Sequence, residues 1–209
     1  MKTNLPTKSQ IDSQKKEPIT NKKKFKIPIL LLIIILTIVG VSFYLFLSTT
    51  SNQGFIFTTA QNRNFHIRTQ KNFIEIEELK GKIVFLKVFG WDCQYCQKEI
   101  PELIKLKDKF VNAFDTIAIE LQHHSNSENI EYIKKYNINY NIVNGDRQKK
   151  FIQYLKDEYK WNGVIPLTIV IDASGKILAF EVGYKSYSLT TLLQTTLKQL
   201  TTVVSNKKE

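Results

Sequence analysis

The chain has 209 residues, 43% of them apolar, and a formal net charge of +11. Eight lysines face only Asp12 and Glu17 within residues 1–26, and the only arginines are Arg63, Arg68 and Arg147. A lysine surplus that is diffuse beyond the N-terminus, with no arginine cluster, excludes a nucleic-acid footprint; the length suits one ordinary domain with an extension.

Residues 1–26, with Pro6 and Pro18, read as a disordered basic tail on the cytoplasmic side. Residues 27–47 carry no charge. At about 1.5 Å per residue such a run spans a hydrocarbon core of roughly 30 Å, so it is expected to be a transmembrane helix. A cleaved signal peptide would be shorter and would end in small residues, whereas Phe43, Tyr44 and Phe46 stand there. Lysines precede the run and no charge follows it until Arg63. That bias leaves the N-terminus in the cytoplasm and carries the rest across. The expected location is therefore the inner (cytoplasmic) membrane, in a single pass, with the folded part in the periplasm or extracytoplasmic space.

Residues 48–62 read as a polar tether, 63–204 as a folded domain and 205–209 as a short tail. Residues 65–69 and 73–76 suggest a hairpin around Gln70-Lys71-Asn72. Residues 83–89 are almost continuously apolar, as a strand buried on both faces should be. A helix is expected over about 93–110, interrupted by Pro101, and then a strand over 116–121. Ser125 and Glu128 form a capping box that opens a helix through Tyr136. A short strand over 140–143 and a helix over 146–159 follow. Strands over 167–171 and 177–182 flank Asp172-Ala173-Ser174-Gly175, and a last amphipathic helix begins near Ser188. The alternation gives an α/β domain with a mixed sheet flanked by helices.

The chain has two cysteines, Cys93 and Cys96. One close pair points to redox work or to half a metal site. The run from Phe89 to Cys96 joins a buried strand to a helix N-terminus, where free N–H groups and the helix dipole favour a thiolate on the first cysteine. That thiolate can attack a substrate disulfide, and the second cysteine can resolve the mixed disulfide. A zinc site would need histidines as its other ligands, and adjacent side chains such as His123 and His124 rarely converge on one ion. The two histidines read instead as a solvated loop, and His66 as surface or packing. No metal and no cofactor beyond the redox-active disulfide is expected. On its residues alone Pro166 fits a trans proline that starts a strand.

Residues 65–200 resemble the TlpA/ResA/DsbE family of membrane-anchored thioredoxin-fold thiol–disulfide oxidoreductases. The resemblance lies in Glu78-Leu79-Lys80-Gly81-Lys82 before the central strand and in Cys93, Cys96, Glu99 and Pro101. It continues in Pro166, Thr168, Ile171, Asp172, Gly175 and Lys176. It implies a thioredoxin-like fold with an N-terminal β-hairpin extension behind the transmembrane helix. It also implies reduction, or sometimes isomerisation, of protein disulfides outside the cytoplasm, apocytochrome c cysteines included. A DsbD/CcdA-like membrane protein would supply the electrons. Cys93 would be the nucleophile and Cys96 the resolving thiol. A cis Pro166, with Ile165, would present backbone to an extended substrate. Glu99 would tune the thiols and move protons.

The chain departs from the family pattern at Gln94-Tyr95, between the cysteines, which leaves the direction of electron flow open. A disulfide-forming oxidase or isomerase is the alternative, and from another class a copper or zinc chaperone. Lys87 lies six residues before Cys93, where thioredoxins keep a buried acid; a snorkelling surface lysine is the plain alternative. Glu120 falls near the place of the thioredoxin lysine on the next strand. The expectation is a charge-swapped buried pair, Lys87 with Glu120, that tunes the thiols.

Overall fold

The computed structural model describes residues 28–48 and 53–205. The chain divides into two compact units, 1–49 and 50–209. The basic tail expected over 1–26 lies outside the described residues, as do residues 206–209; Ser205 ends the last helix.

The first unit holds α1, Ile29–Ser48, which has no charged residue in 20. Its apolar side chains, such as Leu36 and Ile38, stand exposed. Among the described residues no helix is long and apolar enough to cross a membrane.

In the second unit β1 (Gln53–Thr58), β2 (Asn64–Gln70) and β3 (Phe73–Ile76) form an antiparallel sheet in sequence order. The strict alternation of β2 buries Phe65, Ile67 and Thr69 on one side, as a half-covered strand requires. The tether expected over 48–62 is thereby corrected. Its Phe55-Ile56-Phe57 segment pairs with β2, Phe57 opposite Phe65. Phe57 is 0% exposed and meets the Phe151 ring edge-on at 4.8 Å. Polar neighbours masked Phe55 and Phe57, whose burial outweighs them.

The main sheet has the order β6-β5-β4-β7-β8. Here β4 is Ile83–Phe89, β5 Phe114–Glu120, β6 Asn141–Asn144, β7 Leu167–Ile171 and β8 Ile177–Val182. β4, β5 and β6 run parallel, while β7 and β8 are antiparallel to their neighbours. One face packs against α2 (Gln94–Lys109), α3 (Asn126–Lys135) and α5 (Leu189–Ser205). The other packs against α4 (Lys149–Tyr159) and the three-stranded sheet. This is the thioredoxin-like α/β arrangement expected.

β5 starts two residues earlier than its apolar run because Asp115 is buried with Lys107 Nζ 2.5 Å away, which makes a charge admissible inside a strand. The capping box of α3 forms with both of its hydrogen bonds. Gly175 is required where the turn after β7 meets β3: its φ is +100°, and a Cβ would run into the Phe73 ring.

Because β1 belongs to the folded unit, Phe57→Ala should destabilise it by about 3–5 kcal/mol in denaturant unfolding. A tether residue would change stability by less than about 0.5 kcal/mol.

Candidate active site

β4 ends in the middle of the sheet, and α2 begins after the four residues Gly90 to Cys93. Gly90 makes this sharp passage possible, since a Cβ there would occupy the space of the Gln122 side chain. Gln122 Oε1 accepts the Asp92 N–H at 2.7 Å, and Gln97 Nε2 donates to the Trp91 carbonyl at 2.6 Å. Trp91 itself is fully buried, edge-on to Phe89 and stacked on Tyr132. Its indole N–H donates to Asn129 Oδ1 at 2.8 Å. The loop is therefore fixed by side chains from both of its flanks.

Cys93 is the N-cap of α2, with extended backbone, and its Sγ accepts the Cys96 N–H at 3.2 Å. A helix opens with N–H groups that lack intrahelical partners, and here sulfur takes the position usually held by a hydroxyl or carboxylate. Cys93 and Cys96 form a disulfide with Cα atoms 5.2 Å apart. Cys93 is half-buried, whereas Cys96 is only 2% exposed. An incoming group can therefore reach Cys93 first. α2 runs on through Pro101, which corrects the expected interruption; its ring removes one backbone donor without ending the helix.

The Ile165–Pro166 bond is cis. Val88 of β4 lies opposite Leu167, which sets Pro166 beside Phe89 where β4 gives way to the cysteine loop. The Pro166 carbonyl accepts the Gly183 N–H at 2.8 Å. Ile165 packs on the apolar cluster that also holds Cys96 and touches Cys93. Among the described residues, neither the N–H nor the C=O of Ile165 takes part in a hydrogen bond.

Below the disulfide lies a buried charge pair. Lys87 is 1% exposed, so it is no surface lysine. Its Nζ donates to Glu99 Oε2 at 2.7 Å and to Thr168 Oγ1. Burial lowers the Lys87 pKa below the usual lysine value, and the Glu99 carboxylate opposes that shift. Glu99 follows Cys96 by three residues on the buried face of α2, one turn deeper. Tyr140, also buried and near Glu99, has its phenol pKa pushed up, chiefly by desolvation.

The expected partnership of Lys87 with Glu120 is corrected. Parallel register sets Ala118, not Glu120, beside Lys87, and Glu120 beside Phe89. Glu120 turns instead to the following loop, where it accepts the Gln122 N–H at 2.6 Å and lies 3.1 Å from His124 Nδ1. His124 is likewise not a solvated loop residue. Its side chain is 13% exposed, and Nε2 faces Asp92 Oδ2 at 3.6 Å. His123 does stand exposed, against Asp146. Among the described residues no group of three or more His, Cys, Asp or Glu side chains could hold a metal ion.

Sequence reasoning found both cysteines, Ile165, Pro166, Lys87 and Glu99, but not the side chains that hold them. Thr168 entered only as part of the resemblance, and its contact with Lys87 follows from the antiparallel register of β7 with β4. Gln97, Gln122 and His124 act through backbone groups and carboxylates that no spacing rule links to Cys93. Tyr184, stacked on Tyr95 at 5.1 Å with Lys98 Nζ over both rings, completes an exposed aromatic rim.

The family model described as the AhpC/TSA family matches residues 58–180. The thiol-disulfide oxidoreductase ResA of Bacillus subtilis (strain 168) is 28% identical over 118 residues, which is 56% of this chain and 62% of that protein. The chain thus spans less than two-thirds of the length of the curated relatives it matches. A thioredoxin-like protein of Neisseria meningitidis, solved in solution, shares the fold with a TM-score of 0.56 at 18% identity, over 72% of this chain and 92% of that one. A DsbF homologue of Corynebacterium diphtheriae does so with a TM-score of 0.51 at 15% identity, over 71% of this chain and 85% of that one.

Removing one member of a buried ion pair leaves an uncompensated charge, so Glu99→Ala should cost about 3–5 kcal/mol of stability. The double variant Lys87→Met/Glu99→Leu should recover most of that loss in the same denaturant titration. The pH dependence has a definite sign. With its pKa lowered in the fold, Lys87 binds fewer protons folded than unfolded, so its burial penalty is full below the folded value and lifts toward 10.5. Wild-type stability should therefore rise relative to Lys87→Met on going to alkaline pH.

Proposed function

The chain belongs to the AhpC/TSA family, and from that footing we propose that it is a membrane-anchored thiol–disulfide oxidoreductase that reduces protein disulfides outside the cytoplasm. The observation that carries this reading is the disulfide at the N-terminus of α2, with a reachable Cys93 and a buried Cys96. The kinship with ResA proteins, named as thiol-disulfide oxidoreductases, supports it.

The reduced Cys93 thiolate attacks one sulfur of a substrate disulfide, and the other substrate sulfur leaves as a thiolate and takes up a proton. Cys96, deprotonated, then attacks Cys93 Sγ. The second substrate thiol departs, and the Cys93–Cys96 disulfide is restored. Two electrons pass to the substrate, and a DsbD/CcdA-like membrane dithiol returns them. The Cys96 N–H supports the thiolate in the first step. Glu99, one turn below Cys96, is the carboxylate suited to move the proton that Cys96 must lose. The unpaired N–H and C=O of Ile165 suit pairing with an extended substrate segment beside Cys93. Apocytochrome c cysteines are one substrate class such a site would take.

Reduction is favoured over oxidation because the Lys87 charge beneath the disulfide is matched by Glu99. The reduced thiolate therefore receives no surplus positive field, which is the condition that makes a dithiol strongly oxidising. The anchor rests on the uncharged residues 27–47 and on the lysines confined to their N-terminal side.

Cys96→Ser should trap protein substrates as mixed disulfides in cell extracts, and Cys93→Ser should trap none; the reverse pattern would exchange the two roles. A C-terminal alkaline phosphatase fusion should be active in intact cells, since residues 48–209 are proposed to lie outside. An inactive fusion would overturn the topology.

A further inference from the structure

The residue before the nucleophile is an acid, and the loop after β5 holds a histidine against it. We propose that His124 is a positioning residue for the thiol chemistry: its imidazolium balances the Asp92 carboxylate and so sustains the Cys93 thiolate in mildly acidic surroundings. The inference rests on Cys93 being the attacking thiol and deepens that reading into a regulation of the same site.

His124 is held at every polar atom but one. Its N–H donates to Glu120 Oε2 at 3.2 Å, and Nδ1 lies 3.1 Å from Glu120 Oε1. Its carbonyl accepts from Asn144 Nδ2 at 2.7 Å and from Asn129 Nδ2 at 3.3 Å. The ring meets Tyr132 edge-on, with centroids 5.3 Å apart. Nε2 is left, 3.6 Å from Asp92 Oδ2. Asp92 is fixed on its side by the bond from its N–H to Gln122, while its carboxylate is mostly exposed. His124 is the one charged partner of that carboxylate among the described residues.

The groups that face the imidazole are Glu120 from β5, Asp92 from the cysteine loop, and Tyr132 and Glu128 from α3. Glu120 is fully enclosed at the end of its strand and anchors the ring; Asp92 is the exposed charge that the ring faces. A carboxylate adjacent in the chain to Cys93 opposes the thiolate by like-charge repulsion. A protonated His124, shared between Glu120 and Asp92, weakens that effect, and a neutral one leaves Asp92 unbalanced. Imidazoles ordinarily change charge between about pH 5 and 8, the range over which a helix-capping thiol also ionises. The loop therefore gives Cys93 a flattened profile: thiolate is sustained at mildly acidic pH and restrained near neutral pH.

The test is the rate of iodoacetamide alkylation of Cys93 in the reduced full-length protein between pH 5.5 and 9, with the modified residue identified by mass spectrometry. Asp92→Asn, at an exposed position, keeps the fold intact. It should raise the rate about threefold near pH 7 and barely at pH 5.5, where His124 still offsets Asp92, or at pH 9, where the thiol is already ionised, since one pKa unit corresponds to a tenfold change in ionisation. His124→Gln should lower the rate about threefold below pH 6.5 and leave it unchanged above pH 8. In the Asp92→Asn background His124→Gln should have little effect. A constant Asp92→Asn ratio at all pH values, or a full His124→Gln effect in that background, would overturn the proposal. Alkylation confined to Cys96 in the wild type would instead overturn the assignment of Cys93, which is a separate failure.

Discussion

One ammonium ties together the three elements that carry the chemistry. Lys87 comes from β4, which leads into Cys93; Glu99 comes from α2, which carries Cys96; Thr168 comes from β7, which follows Pro166. A buried ammonium without partners would lose its proton or pull the fold open. With partners on two other elements it can remain, provided that α2 lies over β4 at one depth and β7 pairs with β4 in one register. Strand β4 meets the first condition through its apolar face toward Ile100 and Leu103, and the second through Val88 opposite Leu167. The geometry of the cysteines and of Pro166 is thus coupled to a single charge pair.

That coupling has an electrostatic consequence. A lone lysine under a disulfide would stabilise the reduced thiolate and make the couple oxidising. Glu99 balances that charge and stands one turn along the helix from Cys96. At the rim, His124 Nε2 faces the Asp92 carboxylate at 3.6 Å, and that carboxylate is in contact with solvent. The cysteine loop thus has a buried ion pair beneath it and, at Asp92, a carboxylate that reaches solvent.

Much of the architecture was legible because the elements are locally self-consistent. Leu167–Ile171 and Ile177–Val182 have the bounds that their apolar runs imply, and Ser125 with Glu128 opens α3 as its capping box requires. Cys93 and Cys96 were legible because strand, tight loop and helix start coincide there. What failed was long-range. β1 hid among polar residues because its burial depends on Phe151, nearly a hundred residues later. The partner of Lys87 was misassigned because sequence gives a strand's face but not which element approaches it: α2 crosses above Lys87, while Glu120 sits one pleat too far along β5. His124 was read as solvated since nothing local reveals that Glu120 bends back to meet it.

The most direct test of the account is the reduction potential of the Cys93–Cys96 couple in the wild-type protein, measured by equilibration in thiol–disulfide buffers. A buried pair of zero net charge predicts a value close to that of thioredoxin, about −270 mV. A value near −120 mV, that of a strong oxidant, would contradict both the balance of Lys87 by Glu99 and the reductive direction drawn from it.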